Sequence, residues 1–105
     1  MTGKNRFAGC RIVVVEDSPT QAEYLRHLLE QDGYVTEVAA HGRDALVAIR
    51  RQQPALVLTD IVMPEMDGYE LCREIKADKD TASIPVILVT QLFDPADVLK
   101  GLESG

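Results

Sequence analysis

Three stretches of this chain are apolar without alternation: Ile12 to Val15, Ala55 to Leu58 and Val86 to Val89. Unbroken runs of β-branched and aliphatic residues predict strands buried on both faces, as in a parallel sheet covered by helices. Tyr34 to Ala39, with Val35 and Val38 around Glu37, is more weakly patterned and predicts an edge strand.

Helical periodicity fills the gaps between these runs. Ala22, Leu25, Leu28 and Leu29 recur at helical spacing, so a first helix is predicted over Pro19 to Gln31. Ser18, Pro19 and Gln21 offer an N-cap, a proline at the first helical position and a capping box, and Gly33 supplies the stop. Gly42 to Arg51 carries Ala45, Leu46, Ala48 and Ile49 and is closed by Pro54. Asp67-Gly68 opens a third helix, Tyr69 to Ala77, with Leu71, Cys72 and Ile75 facing inward. Asp94-Pro95 opens a fourth, with Val98, Leu99 and Leu102 as its apolar positions. The order β-α-β-α-β-α-β-α, joined by right-handed crossovers, predicts a doubly wound α/β sheet with helices on both faces.

Each unbroken run stops at a residue able to bind a metal or a phosphate. Glu16-Asp17 follows the first, Thr59-Asp60 the second and Thr90 the third. Parallel strands end on one edge, where open α/β sheets place their sites, so Glu16, Asp17, Asp60 and Thr90 should gather in one crevice. Taken singly, an acid after a strand often only caps the next helix. Three together repel one another, and a bound hard cation relieves that repulsion. Asp60 stands apart from the adjacent pair and is the better nucleophile toward phosphorus, whereas Glu16 and Asp17 suit metal holding.

Composition narrows the classes. At 105 residues, 46% hydrophobic and 27% charged, the chain suits one globular domain. A net charge of −6 opposes direct contact with nucleic acid or an anionic membrane. No run approaches the roughly 18 apolar residues of a membrane span. Cys10 and Cys72 lack metal or redox spacing and fit free thiols in a reducing cytoplasm. Residues 1–10 read as a flexible lead and 11–105 as the domain. No GxGxxG or GxxxxGK[ST] is present, which removes the dinucleotide and P-loop readings.

From Arg11 to Gly105 the chain resembles the receiver domain of bacterial two-component response regulators. The resemblance rests on Val13-Val14-Val15-Glu16-Asp17, on Thr59-Asp60-Ile61-Val62-Met63-Pro64-Glu65-Met66-Asp67-Gly68, and on Ile84-Pro85-Val86-Ile87-Leu88-Val89-Thr90. It implies a flavodoxin-like sheet of strand order 2-1-3-4 in the part present, and a signalling phosphoacceptor in place of an enzyme. It also implies a phosphoryl group taken by Asp60 from a histidine kinase or histidine phosphotransfer domain. Glu16, Asp17, Asp60 and the backbone carbonyl of Val62 would hold Mg²⁺, and Thr90 would be the switch hydroxyl. An output domain or self-association would complete its partners, in the cytoplasm. The family's fifth strand, which ends in a lysine, and its fifth helix are absent from this chain, so the domain reads as C-terminally incomplete. Gln91 stands where the family usually has a small residue.

Two other readings compete. An Asp-nucleophile phosphatase of the haloacid-dehalogenase type needs D-x-D after its first strand, and neither Asp17-Ser18-Pro19 nor Asp60-Ile61-Val62 supplies it. A receiver-like interaction module without phosphorylation would keep the fold and leave the acids idle.

Overall fold

The structure, a computed structural model, describes residues 9–63 and 65–89. Within them the chain runs β1 (Arg11–Val15), α1 (Pro19–Gln31), β2 (Val35–Ala39), α2 (Gly42–Arg51), β3 (Leu56–Asp60), α3 (Gly68–Ala77) and β4 (Val86–Val89). The strands form one parallel sheet in the order β2-β1-β3-β4. The sheet order and three helices expected from the sequence are therefore present. The expected fourth helix, Thr90 and Gln91 lie outside the described residues, as does most of the N-terminal lead.

Alternation along the strands sorts the core into two clusters, one on each face of the sheet. Val13, Val15 and Val57 pack with Ala45, Leu46 and Ile49 of α2 and with Leu71 and Ile75 of α3. Ile12, Val14, Leu56 and Leu58 pack with Leu25 and Leu29 of α1 and with Tyr34. β1 thus has apolar partners on both sides, which is why its run shows no polar alternation. The partial exposure of β2 agrees with its edge position.

Several local expectations are corrected. Ser18 accepts from the backbone N–H of Gln21 at 3.4 Å, but its own N–H donates to Glu16 Oε1 at 3.1 Å, so no capping box forms there. The reciprocal box sits on α3: Glu70 N–H donates to Asp67 Oδ1 at 2.9 Å and Asp67 N–H to Glu70 Oε1 at 3.2 Å. That cap draws Gly68 into the helix one residue earlier than the apolar pattern indicated. β3 runs two residues further than its apolar run, through Thr59 and Asp60, because β4 continues the ladder there. Cys72 is only half-buried, whereas Leu71 and Ile75 are fully enclosed.

The end of α1 is set by backbone geometry. Gly33 adopts a φ of 94°, and Gly33 N–H and Tyr34 N–H donate to the carbonyls of Glu30 and Leu29, each at 3.1 Å. This is a Schellman arrangement, and Tyr34 joins Leu29 in the core beneath it. A side chain at a left-handed position is strained. Gly33→Ala should therefore lower stability by about 1 kcal/mol in urea denaturation. An unchanged midpoint would show that the turn does not depend on glycine.

Candidate functional site

The carboxyl edge of the sheet is built by register. Val15 pairs with Ala39 on one side and with Thr59 on the other, and Asp60 pairs with Val89. The first residue past β1, Glu16, donates its N–H to Ala39 carbonyl at 3.0 Å, which continues the ladder one step beyond the strand. Asp17 follows at the turn into α1 and is exposed. Asp60 closes β3 in the middle of the sheet, where strands flank it on both sides. One ligand atom from each of Glu16, Asp17 and Asp60 lies within 4.8 Å of the others.

Burial makes this cluster costly. Asp60 is 2% exposed and Glu16 7%. Both carboxylate oxygens of Asp60 are buried and have no hydrogen-bond partner among the described residues. A buried polar group in that condition forfeits its hydration and gains nothing in return, so it calls for an explanation such as a catalytic role or a bound ion. The Glu16 carboxyl is pushed up from an ordinary 4.5 to about 7. Loss of hydration by burial is the largest cause; the Ser18 N–H opposes it, and the neighbouring charge of Asp60 and the contact with Asp17 add to it.

Of the residues expected from the sequence, Glu16, Asp17 and Asp60 come together. Val62 lies two residues past the end of β3 and is 68% exposed. Thr90 lies outside the described residues, though Val89, which precedes it in the chain, is the register partner of Asp60. A hard cation fits the donor set: three carboxylates, two of them buried, one with both oxygens unsatisfied. A shallow depression along α1, lined by Pro19, Thr20, Glu23, Tyr24 and His27, contains none of these acids.

Two contributors escaped the sequence reading. Gly68 is required by close approach: a Cβ built there would overlap the carbonyl oxygen of Asp60 and stand 3.0 Å from Ile61 Cα. The motif Asp67-Gly68 signalled a helix start and gave no hint of this contact. Thr59 reads only as the polar residue between its apolar run and Asp60, yet it is fully buried and its hydroxyl donates to the Asp60 carbonyl at 2.9 Å. A buried threonine among valines and leucines was the available signal.

A family model described as the response regulator receiver domain matches residues 12–105. The DNA-binding response regulator MtrA of Mycolicibacterium smegmatis is 42% identical over 95 residues, which are 90% of this chain and 40% of that protein. The chain therefore spans less than half the length of that relative. Among solved structures, the signal receiver domain of a signal transduction histidine kinase from Syntrophus aciditrophicus is 52% identical, with a TM-score of 0.76 over 92% of this chain and 74% of that one. The receiver domain of the sensor histidine kinase PA1611 from Pseudomonas aeruginosa PAO1, described with a magnesium ion coordinated in its active-site cleft, matches in fold at 24% identity. Its TM-score is 0.81, over 92% of this chain and 97% of that one.

The raised Glu16 carboxyl has a consequence for stability. Between about pH 4.5 and 7 the folded chain holds a proton that the unfolded chain has released, so stability from this group is full below 4.5 and lost as pH rises through 7. In a chelator, the urea midpoint of the wild type should fall across that window, and Glu16→Gln should remove this part of the slope. Equal slopes in the two proteins would contradict the assignment.

Proposed function

The chain belongs to the response regulator receiver domain family, and from that premise we propose that Asp60 is the residue that accepts the phosphoryl group in a two-component relay. One observation carries the assignment: Asp60 ends a central strand with both carboxylate oxygens buried and without a hydrogen-bond partner among the described residues, close to two further acids. A carboxylate so placed makes no hydrogen bond that an attacking oxygen would first have to break.

Glu16, Asp17, Asp60 and the backbone carbonyl of Val62 would hold Mg²⁺, whose chemistry when bound is to neutralise charge on the acids and on the phosphoryl oxygens. The chain's own contribution is positioning. An Asp60 oxygen forms a bond to phosphorus while the bond from phosphorus to the donor's nitrogen breaks, leaving an aspartyl phosphate and a free histidine that recovers its proton from water. Ser18 N–H steadies the Glu16 carboxylate beside this centre. Thr90, next in the chain after the register partner of Asp60, would supply the hydroxyl that senses the product.

The partner in this reading is a histidine kinase or histidine phosphotransfer domain in the cytoplasm, and the role is that of a signalling domain and not of a turnover enzyme. An output domain would act downstream, as the fraction of MtrA that the chain spans suggests. With a net charge of −6, these 105 residues are assigned no nucleic-acid contact of their own. No described helix is long and apolar enough to cross a membrane.

Incubation with Mg²⁺ and acetyl phosphate, read by intact mass, should give a single phosphoryl adduct that Asp60→Asn lacks. An undiminished adduct on Asp60→Asn would refute the assignment. The side chain of Val62 has no polar atom with which to orient a water over the acids, so the adduct should persist longer in the wild type than in Val62→Asn. Equal or faster loss from the wild type would contradict that role for the position.

A further inference from the structure

Thr59 has no part in the chemistry proposed above, yet its side chain meets the residue that does. It is fully buried on β3, in register with Val15 of β1 and Leu88 of β4. Its hydroxyl donates to the carbonyl oxygen of Asp60 at 2.9 Å. The amide on the other end of that same peptide unit, Ile61 N–H, donates to the carbonyl of Val89 at 3.1 Å. The Asp60–Ile61 peptide is thus held at both ends, its N–H by β4 and its C=O by Thr59.

A third constraint closes on the same oxygen. The bare α-carbon of Gly68 leaves the room in which the start of α3 approaches it, and Gly68 N–H donates to the Ile61 carbonyl at 2.8 Å. The carboxylate of Asp60, by contrast, has no hydrogen bond among the described residues to orient it. Its direction is inherited from the backbone on which it hangs. Reaction rates respond steeply to small misplacements of a reacting group, so a peptide free to tilt would be felt at the carboxylate.

We infer that Thr59 is a positioning residue: its hydroxyl locks the Asp60–Ile61 peptide against the start of α3 and so aims the Asp60 carboxylate toward Glu16 and Asp17. The role rests on the reading of Asp60 as the phosphoryl acceptor. A hydroxyl that merely satisfied itself in the core would affect stability alone. A positioning hydroxyl must also move the chemistry in chains that remain folded.

The test uses Thr59→Val, which keeps the shape and removes the donor, and Thr59→Ser, which keeps the donor. Each is folded by circular dichroism, titrated calorimetrically with Mg²⁺, then phosphorylated by acetyl phosphate at saturating Mg²⁺. Thr59→Val is expected to weaken Mg²⁺ binding and slow adduct formation, each by about five- to tenfold, in line with the loss of one buried hydrogen bond. Thr59→Ser should return both to within about twofold of the wild type. Thr59→Cys, similar in size with a far weaker donor, should behave as Thr59→Val does and takes its place if the valine variant does not fold. Wild-type affinity and rate in the folded donor-less variant, or failure of serine to restore them, would overturn the positioning role alone. A wild-type chain that took no phosphoryl group would overturn the acceptor reading and this role together.

Discussion

The repulsion among three carboxylates at one end of a buried sheet shapes everything else in this domain. Glu16 and Asp60 are both nearly sealed from water, and Asp17 stands beside them. Charges placed this way are costly unless something neutralises them. The chain itself does little to relieve them. Among the described residues, the backbone N–H of Ser18 reaches Glu16 and no donor reaches Asp60. The folded state keeps this unfavourable arrangement because the rest of the fold over-determines it, as is usual where function requires a poised group.

What over-determines it is the sheet. β1 and β3 are central strands with apolar partners on both faces, and register carries their ends to one edge. A slip of one residue would turn the core faces of β3 inside out, so packing that has nothing to do with chemistry fixes the level of Asp60. The loop that follows is held from the other side. Asp67 and Glu70 cap α3 reciprocally, and that helix starts so close to β3 that position 68 admits no side chain. Stability and function are linked in one direction here: the core supplies the energy that keeps the acids together.

Much of this was legible in the sequence, for physical reasons. Doubly buried strands lose their alternation, so Ile12 to Val15 and Val86 to Val89 could be read directly, and α1 and α2 were bounded at the residues the structure assigns. The acids were legible because polar residues that end apolar runs in parallel strands must share an edge. Side-chain competition was not legible. Ser18 and Gln21 match a capping-box pattern, yet the N–H that the box requires goes to Glu16, a choice that depends on the burial of a carboxylate two residues away. The true box, Asp67 with Glu70, was obscured because the apolar pattern starts the helix at Tyr69, which puts the cap one residue too late. Thr59 and Gly68 act through contacts with the Asp60 carbonyl, and no spacing along the chain encodes such an approach.

The most direct measurement is the melting temperature as a function of Mg²⁺ at pH 8, above the range in which Glu16 holds a proton. If relief of the repulsion at Glu16, Asp17 and Asp60 is what the cation provides, the wild type should gain stability with the logarithm of its concentration, by about 2.7 kcal/mol at 100 times the dissociation constant. Asp17→Ala should lose that dependence while remaining folded. A wild-type melting temperature indifferent to Mg²⁺ would contradict the assignment of these acids to a cation and, with it, the explanation of why the fold tolerates them.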